Sequence, residues 1–291
     1  MSHLVLLTPT TTSLPRLLAI TPDMALKTFG VPPNNWSWSE EQGYDLSRGQ
    51  DRCNTRIIST QKGEIRIDPA RSALVVIDNQ NYFLHPAFRK HPTGLVAMQQ
   101  LIKNGIPTSR AAGVKVIWLN WGLTDEEITN MPPCHAASFG GVPTTKHGEG
   151  GGFGAELGLI DGRDAGRRVV RGSWNAELYG DLQPLYEEGE KLGTDVWIHK
   201  NRPSGIWGEG GALETYLRGN KIETLFFAGV NSDQCVWGTL IDAHNKGFDV
   251  IYVKDLCATG MPEARRESTE YNADVVGFIT TSAEYAKGLQ G

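Results

Sequence analysis

One stretch of the sequence, residues 224–247, joins a buried strand to a helix and carries a cysteine at the junction. The apolar run 225–230 has the length and side chains of a buried strand, and the polar residues 231–233 end it. From Cys235 the apolar spacing is helical. Ligands bind at the carboxyl ends of strands in an open α/β sheet, so Cys235 is a candidate nucleophile. The dipole at a helix N-terminus favours an anion, which predicts a thiol that ionises easily.

Apolar runs and helical spacing alternate along much of the chain, and this alternation predicts the fold class. The continuous apolar residues 73–77 are typical of a strand buried on both faces. Repeated strand–helix–strand units predict an α/β fold with a parallel sheet and right-handed crossovers. The further predicted strands are 114–120, 195–201, 225–230, 249–255 and 275–280, and the further predicted helices are 95–112 with a kink at Pro107, 211–217, 262–272 and 283–289.

The chain divides into an N-terminal arm, residues 1–70, and a main domain, residues 71–291. We expect the arm to be irregular apart from one hairpin around Lys62 and Gly63. Its first 30 residues nearly lack acids, which is typical of a targeting peptide, although two prolines disfavour an amphipathic helix and an ordered arm fits as well. Within the main domain, a glycine-rich insertion around 122–193 breaks the rhythm, and we interpret it as a cap over the substrate pocket or as a mobile surface loop.

Composition excludes several classes of protein. The net charge of −5 and the absence of a basic run disfavour nucleic-acid binding. No apolar run approaches the length of about 18 residues that spans a membrane. The four cysteines are scattered, without the spacing of a zinc site or a disulfide scaffold, so we expect a cytoplasmic protein in a reducing compartment.

Three side chains with complementary chemistry fall at the carboxyl ends of predicted strands. Asp78 follows the strand 73–77, Lys200 ends the third strand, and Cys235 follows the fourth. Asp78 would take the proton of the thiol and return it to the leaving group. Lys200 would stabilise the thiolate and keep Asp78 ionised. Taken singly, the aspartate fits a turn residue, the lysine a solvated one and the cysteine a buried apolar residue. Only the three together predict a catalytic triad.

These segments resemble the isochorismatase-like cysteine hydrolase superfamily over roughly residues 70–285. The similarity is carried by Val-Ile-Asp-Asn-Gln-Asn-Tyr-Phe, by His-Lys-Asn-Arg-Pro-Ser-Gly-Ile-Trp-Gly, by Ala-Gly-Val-Asn-Ser-Asp-Gln-Cys-Val-Trp-Gly-Thr and by Asp-Leu-Cys-Ala-Thr. The resemblance implies a three-layer α/β/α sandwich around a mainly parallel six-stranded sheet. It also implies the triad Asp78, Lys200 and Cys235, and a cis peptide between Val230 and Asn231 that directs N–H groups near Cys235 at an oxyanion.

Departures from the pattern of the family narrow the expected chemistry. Nicotinamidases of this superfamily carry an Asp-x-His…His metal set after the second strand, but residues 120–125 contain no histidine, and His135 and His147 come later. We therefore expect no metal and no cofactor. Bacterial isochorismatases resemble the fold with glycine at the nucleophile position, so Cys235 favours hydrolysis of a C–N bond in an amide or ureido compound through a thioester.

Two alternatives stay open at this point. Some isochorismatases of eukaryotic microbes are thought to keep the cysteine, so hydrolysis of the vinyl ether of isochorismate, with Asp78 as acid, is the second hypothesis. A non-catalytic binding protein on the same fold is the third.

The substrate is expected to be a small, flat or partly apolar molecule. By resemblance, the protein would also form a homo-oligomer, either a dimer or a tetramer. The predicted pocket residues are Gln80, Tyr82, Phe83, Asn120, Trp121, Trp207 and Asn231.

Overall fold

The computed structural model describes residues 26–140 and 151–291, and within these ranges the N-terminal arm forms a sheet. Five short strands pair in the order β1-β2-β3-β5-β4, so the expectation of irregular chain was wrong. The predicted hairpin is β4–β5. The other strands were missed because they are only three to six residues long and expose many of their side chains. The bounds are β1 Lys27–Val31, β2 Asn34–Ser39, β3 Gly43–Asp45, β4 Arg56–Thr60 and β5 Gly63–Ile67.

The main domain is built on a six-stranded, all-parallel sheet with helices on both sides, which confirms the predicted fold class. A small antiparallel hairpin, β8–β9, stands outside this sheet. The strands of the two sheets are β6 Ser72–Ile77, β7 Lys115–Trp121, β8 Leu159–Ile160, β9 Arg163–Asp164, β10 Asp195–Lys200, β11 Thr224–Val230, β12 Asp249–Ala258 and β13 Phe278–Thr280.

Ten α-helices and two π-helical turns are found within the described ranges. The π-helical turns cover Leu101–Gly105 and Ser232–Val236. The α-helices are α1 Asn81–Leu84, α2 Pro92–Gln100, α3 Ile106–Ala112, α4 Asp125–Thr129, α5 Pro133–Gly140, α6 Leu182–Leu192, α7 Ala212–Gly219, α8 Trp237–Asn245, α9 Glu263–Val276 and α10 Ser282–Gln290. None of these helices is both long enough and apolar enough to cross a membrane.

The order of the sheet, β10-β7-β6-β11-β12-β13, places a topological switch point between β6 and β11. From β6 the chain moves one way, through α2, α3 and α6, to β7 and β10. After β10 it moves the other way, through α7, α8 and α9. Because parallel crossovers are right-handed, these two groups of helices cover opposite faces. The carboxyl ends of β6 and β11 therefore flank the crevice where such sheets bind ligands.

The segment 122–193 contains more regular structure than the predicted loop. Helix α4 begins with a capping box in which Thr124 and Glu127 exchange hydrogen bonds, and α6 packs its apolar side under the sheet. Residues 141–150, in the centre of the glycine-rich part, lie outside the described residues, as do residues 1–25, on which the targeting expectation rests.

Two predicted elements have different bounds in the structure. The helix predicted at 95–112 begins at Pro92 and is divided by a π-helical turn just before Pro107, since proline cannot continue the regular hydrogen-bond ladder. The sixth strand is only β13, because α9 extends through Val276.

The N-terminal sheet is fixed to the main domain through a buried ion pair and a strand edge. Arg48 donates to Asp249 at the start of β12, with Nη1 2.7 Å from Oδ2, and the indole of Trp36 donates to the same carboxylate at 2.9 Å. At the outer edge of the main sheet, the N–H of Gln61 donates to the carbonyl of Ile279 in β13. The N-terminal sheet thus covers an edge that would otherwise be open to pairing.

Candidate active site

The sheet brings Asp78 and Lys200 into a buried ion pair. Asp78 directly follows β6, and Lys200 is the last residue of β10. Strand β7 lies between them, and the Lys200 Nζ is 3.0 Å from the Asp78 Oδ2. At the end of β7, the N–H of Trp121 donates to the Asp78 Oδ1 at 3.2 Å. The Lys200 ammonium lies 4.0 Å from the centre of the Trp121 ring. One residue therefore contacts both charges.

The backbone conformation of Asp78 accounts for how the carboxyl leaves the strand. Its φ is 55°, in the left-handed region that aspartate tolerates better than most residues. Its N–H still donates to the carbonyl of Leu119, so pairing with β7 continues up to this residue. Strand β6 therefore ends just before Asp78, whose carboxyl group turns toward Lys200.

Cys235 lies on the π-helical turn between β11 and α8, and its side chain completes the cluster. The residue is 6% exposed. Its thiol is close enough to Asp78, Trp121 and Lys200 for all three side chains to act on its pKa. The structure therefore brings the three side chains of the predicted triad together, although they come from three separate parts of the sequence.

The acidity of the thiol differs from the sequence-based expectation of an easily ionised cysteine. Burial raises the pKa of Cys235 to about 12; Asp78 adds to this shift, and Lys200 and Trp121 oppose it. Burial also raises the pKa of Asp78, while Lys200 opposes that shift. Desolvation outweighs the favourable helix end because the sulfur is enclosed. The resting thiol is therefore protonated at neutral pH, beside the Asp78 carboxyl group and the Lys200 amine.

A histidine that sequence reasoning missed holds the turn before Cys235. The peptide between Val230 and Asn231 is cis, as the resemblance implies. The Nδ1 of His91 accepts the N–H of Gly94 at 3.0 Å, which leaves Nε2 to donate to the Asn231 Oδ1 at 2.9 Å. Burial lowers the pKa of His91, in keeping with this neutral form. The only sequence signal for His91 is its position before Pro92 at the start of α2.

The predicted pocket residue Gln80 directs its side chain at the backbone. Its amide nitrogen donates to the carbonyls of Trp121 and Ala176 at 2.8 and 2.7 Å, and its oxygen accepts the N–H of Trp121 at 3.1 Å. Both amide protons are therefore engaged within the protein. These are the contacts of a residue that positions Trp121 rather than of one that binds substrate.

Asn120 differs from Gln80 in having an unsatisfied amide. It is the residue before Trp121 in β7 and is buried, yet within the described part of the chain neither its Oδ1 nor its Nδ2 has a hydrogen-bond partner. A buried amide without partners costs free energy, so such a group at a site edge is suited to bind a polar ligand.

The aromatic residues divide into a buried group and one exposed residue. The rings of Tyr82 and Phe83 meet edge to face with centroids 5.1 Å apart, and Phe153 lies 5.0 Å from Trp121. Phe153 was not predicted from the sequence because it lies in the glycine-rich segment. Trp207 is 56% exposed, and its indole donates to Asn201 on the surface, so its predicted role in the pocket has no support from contacts with the triad.

Among residues 26–140 and 151–291, no three His, Cys, Asp or Glu side chains come together closely enough to bind a metal ion. His135 lies on α5, and His147 is outside the described residues.

Comparison with known proteins identifies the family. A profile described as the isochorismatase domain matches residues 72–284, so the chain belongs to the isochorismatase family, and it is a hydrolase of that family. It is 26% identical over 235 residues to the ureidoacrylate amidohydrolase RutB of Caulobacter segnis, covering 78% of this chain and 89% of the relative. It is 31% identical over 155 residues to an isochorismatase family protein, PncA, of Bacillus subtilis, covering 53% of this chain and 78% of that one.

Solved structures share the fold at lower identity. A cysteine hydrolase from Pseudomonas syringae pv. phaseolicola superposes with a TM-score of 0.58 at 22% identity, covering 77% of this chain and 94% of that chain. An N-carbamoylsarcosine amidase from Thermoplasma acidophilum gives a TM-score of 0.51 at 22% identity, covering 73% and 96%. These structures support the architecture of the main domain.

Proposed function

We propose that this hydrolase cleaves the C–N bond of a small amide or ureido compound by covalent catalysis, with Cys235 as nucleophile and without a metal. The observation that carries the proposal is the contact of a buried thiol with the ion pair of Asp78 and Lys200. The relatives named as ureidoacrylate amidohydrolases support the same bond type. The unsatisfied amide of Asn120 is complementary to an amide or ureido group.

The reaction begins with the protonated thiol. As the sulfur attacks the carbonyl carbon, its proton passes to Asp78, so no free thiolate need accumulate. The tetrahedral intermediate expels ammonia or an amine, which takes the proton from Asp78 and leaves a thioester. Water then attacks the thioester while Asp78 accepts one of its protons. Collapse releases the acid and returns the proton to Cys235. Lys200 offsets the negative charge of the cluster throughout.

The oxyanion of the intermediate needs hydrogen-bond donors near the sulfur. The N–H groups of Gln234 and Val236 already donate to the carbonyl of Asn231 at 3.1 and 3.2 Å. The N–H of Cys235 itself is therefore the donor that we assign to the oxyanion, at the start of the helix where the dipole favours negative charge.

Ammonia release from a panel of small amides and ureido compounds tests this function. Cys235→Ala is expected to abolish turnover, whereas Cys257→Ala, which removes the other buried thiol, is expected to retain it. Mass spectrometry of acid-quenched enzyme should find an acyl group on Cys235. Turnover that survives Cys235→Ala would contradict covalent catalysis.

Hydrolysis of isochorismate remains the second candidate, because a carboxyl whose pKa is raised by burial also suits protonation of a vinyl ether. In that reaction the sulfur takes no part. Release of pyruvate from isochorismate by Cys235→Ala at the rate of the unmodified enzyme would favour this candidate over amide hydrolysis.

A further inference from the structure

Arg168 is a buried arginine whose charge no acid of the described residues neutralises. The residue is 9% exposed, and its Nε has no hydrogen-bond partner. No carboxylate in residues 26–140 and 151–291 lies within ion-pair distance of its guanidinium. Two other arginines with largely buried side chains, Arg48 and Arg110, each pair with an aspartate at 2.7–2.8 Å. Arg168 therefore differs from the arginines that stabilise the fold.

Arg168 contacts the ring of a residue of the predicted pocket. Its guanidinium carbon lies 5.6 Å from the centre of the Tyr82 ring. Tyr82 is on α1, four residues after Asp78 in the chain, and its ring packs against Phe83. This contact orients the guanidinium through its face, while the Nε–H donor has no hydrogen-bond partner among the described residues.

The backbone of Arg168 pairs with the segment that carries Phe153. Its N–H donates to the carbonyl of Ala155 at 2.8 Å, and its carbonyl accepts the N–H of Gly154 at 3.1 Å. The next residue along that segment, Phe153, packs on Trp121, whose N–H donates to Asp78. Arg168 thus contacts the ring of Tyr82 through its side chain, and its backbone pairs with the residue next to Phe153.

An unpaired buried cation destabilises a fold unless an anion accompanies it. Its retention next to Tyr82, a residue of the predicted pocket, therefore points to an anion that arrives with the ligand. A guanidinium presents parallel N–H donors that match the two oxygens of a carboxylate, and the resulting bond is stronger than one between neutral groups.

We propose that Arg168 binds a carboxylate of the substrate, so that the substrate is a small amide or ureido acid and not a neutral amide. This inference rests on the proposed amidohydrolase function and specifies its substrate class. The carboxylate pairs with Arg168 beside Tyr82, while the C–N bond lies at Cys235.

Calorimetric titration of the Cys235→Ala protein, which does not consume its ligand, tests the inference. The probes are 3-ureidopropionate and n-propylurea, which differ in the carboxylate, together with the ureido acids one carbon shorter and longer and their matching alkylureas. The best acid should bind roughly tenfold to a hundredfold more tightly than its neutral partner. Adding Arg168→Gln should remove this preference, and Arg168→Lys should restore part of it.

Arg163→Gln is the matched control, because Arg163 also lies over an aromatic ring, Trp174, at 5.5 Å but is exposed. It should leave the preference unchanged. Arg168→Gln removes an unpaired buried charge, so its thermal midpoint should not fall, and circular dichroism checks the fold. Equal binding of acids and neutral ureas, no binding of any acid, or a preference that persists in Arg168→Gln would each overturn the proposal.

Ammonia release by enzyme with Cys235 intact separates this inference from the proposed function. Tight binding of the acids that depends on Arg168 but yields no ammonia from any member of the panel would sustain the carboxylate site and overturn amide hydrolysis. Equal cleavage of acids and neutral ureas, unaffected by Arg168→Gln, would sustain the hydrolase function and overturn the role of Arg168.

Discussion

In the predicted triad, Asp78 and Lys200 shift the pKa of Cys235 in opposite directions, and this opposition makes their proposed roles separable. Asp78 raises the pKa of Cys235, whereas Lys200 lowers it. Removing one partner should therefore change the acidity of the thiol in one direction and removing the other in the opposite direction. A residue that served packing alone would not give such a pattern.

Asp78→Asn is expected to lower the pKa of Cys235 and so to speed alkylation by iodoacetamide at fixed pH, even as turnover falls at least about 100-fold because the proton acceptor is lost. Lys200→Met is expected to slow alkylation and also to lose turnover. Peptide mass spectrometry of Cys235 over time measures the alkylation rate, with Cys257 as the internal reference.

A change of alkylation rate in the same direction in both variants would contradict the electrostatic account. Because removal of one partner of a buried ion pair can cost about 3–5 kcal/mol of stability, unfolding curves should accompany these measurements.

At the residue scale, the sequence could predict which residues form the candidate site better than it could predict their protonation states. Asp78, Lys200 and Cys235 were found because each follows or ends a recognisable strand. The protonated thiol could not be predicted, because desolvation of the sulfur depends on side chains from distant segments. Arg168 was missed for the same reason, because only the folded structure shows that none of the described acids pairs with it.

At the scale of elements, two histidines are held neutral near the carboxyl ends of strands. His91 holds the turn after β11, and His199 is in β10 beside Lys200, where its Nδ1 accepts the indole N–H of Trp197 at 3.1 Å. Burial, helped by the charge of Arg171, lowers the pKa of His199 to about 4. Protonation of His199 would break the bond from Trp197.

Stability should therefore fall on acidification. An unfolded histidine titrates near pH 6.5, so between about pH 6.5 and 4 the unfolded chain binds a proton at this position that the folded protein excludes. The free energy of unfolding should decrease as pH falls through this range. His199→Gln should reduce the decrease measured by urea unfolding at pH 7 and pH 5, whereas His244→Gln, at an exposed position, should not. Identical pH dependence in all three proteins would refute this assignment.

The contact between the N-terminal sheet and β12 depends on Arg48. Arg48→Ala leaves Asp249 buried with only the indole of Trp36 and the hydroxyl of Thr224 as side-chain partners. The expected loss is about 3 kcal/mol of unfolding free energy, measured by urea denaturation. Arg52→Ala removes an exposed arginine from the connection between β3 and β4 and should cost less than about 0.5 kcal/mol. Equal losses of unfolding free energy in the two variants would show that the buried ion pair stabilises the protein no more than an exposed arginine does.

For the whole molecule, the main sheet could be predicted from sequence and the N-terminal sheet could not. Continuous apolar runs such as 73–77 allow few structures other than a buried strand. The strands of the N-terminal sheet are short and obtain part of their stability by packing on β13 and α10, as where the carbonyl of Ser59 accepts the hydroxyl of Thr280. The residues that stabilise these strands therefore lie at the other end of the chain, where local sequence patterns do not reveal them.

A chain that begins at residue 71 should fold less stably and self-associate, because it exposes the β13 edge and the unpaired Asp249. Size-exclusion chromatography and thermal unfolding measure this, with a chain that begins at residue 26 as the control. A monodisperse truncated protein with an unchanged midpoint would contradict the role assigned to the sheet. The predicted division at residue 70 and the predicted dimer or tetramer remain predictions that sedimentation of the full chain can test.

The enclosed, protonated sulfur of Cys235 also bears on how the protein meets oxidants. Peroxide attacks thiolates that it can reach, and oxidation past the sulfenic acid is not reversed for most proteins. The exposed Cys53 and Cys134 are the sulfur atoms that such a reagent meets first. As the proposed nucleophile, Cys235 would therefore be spared oxidative damage between turnovers and become vulnerable only while a substrate is being cleaved.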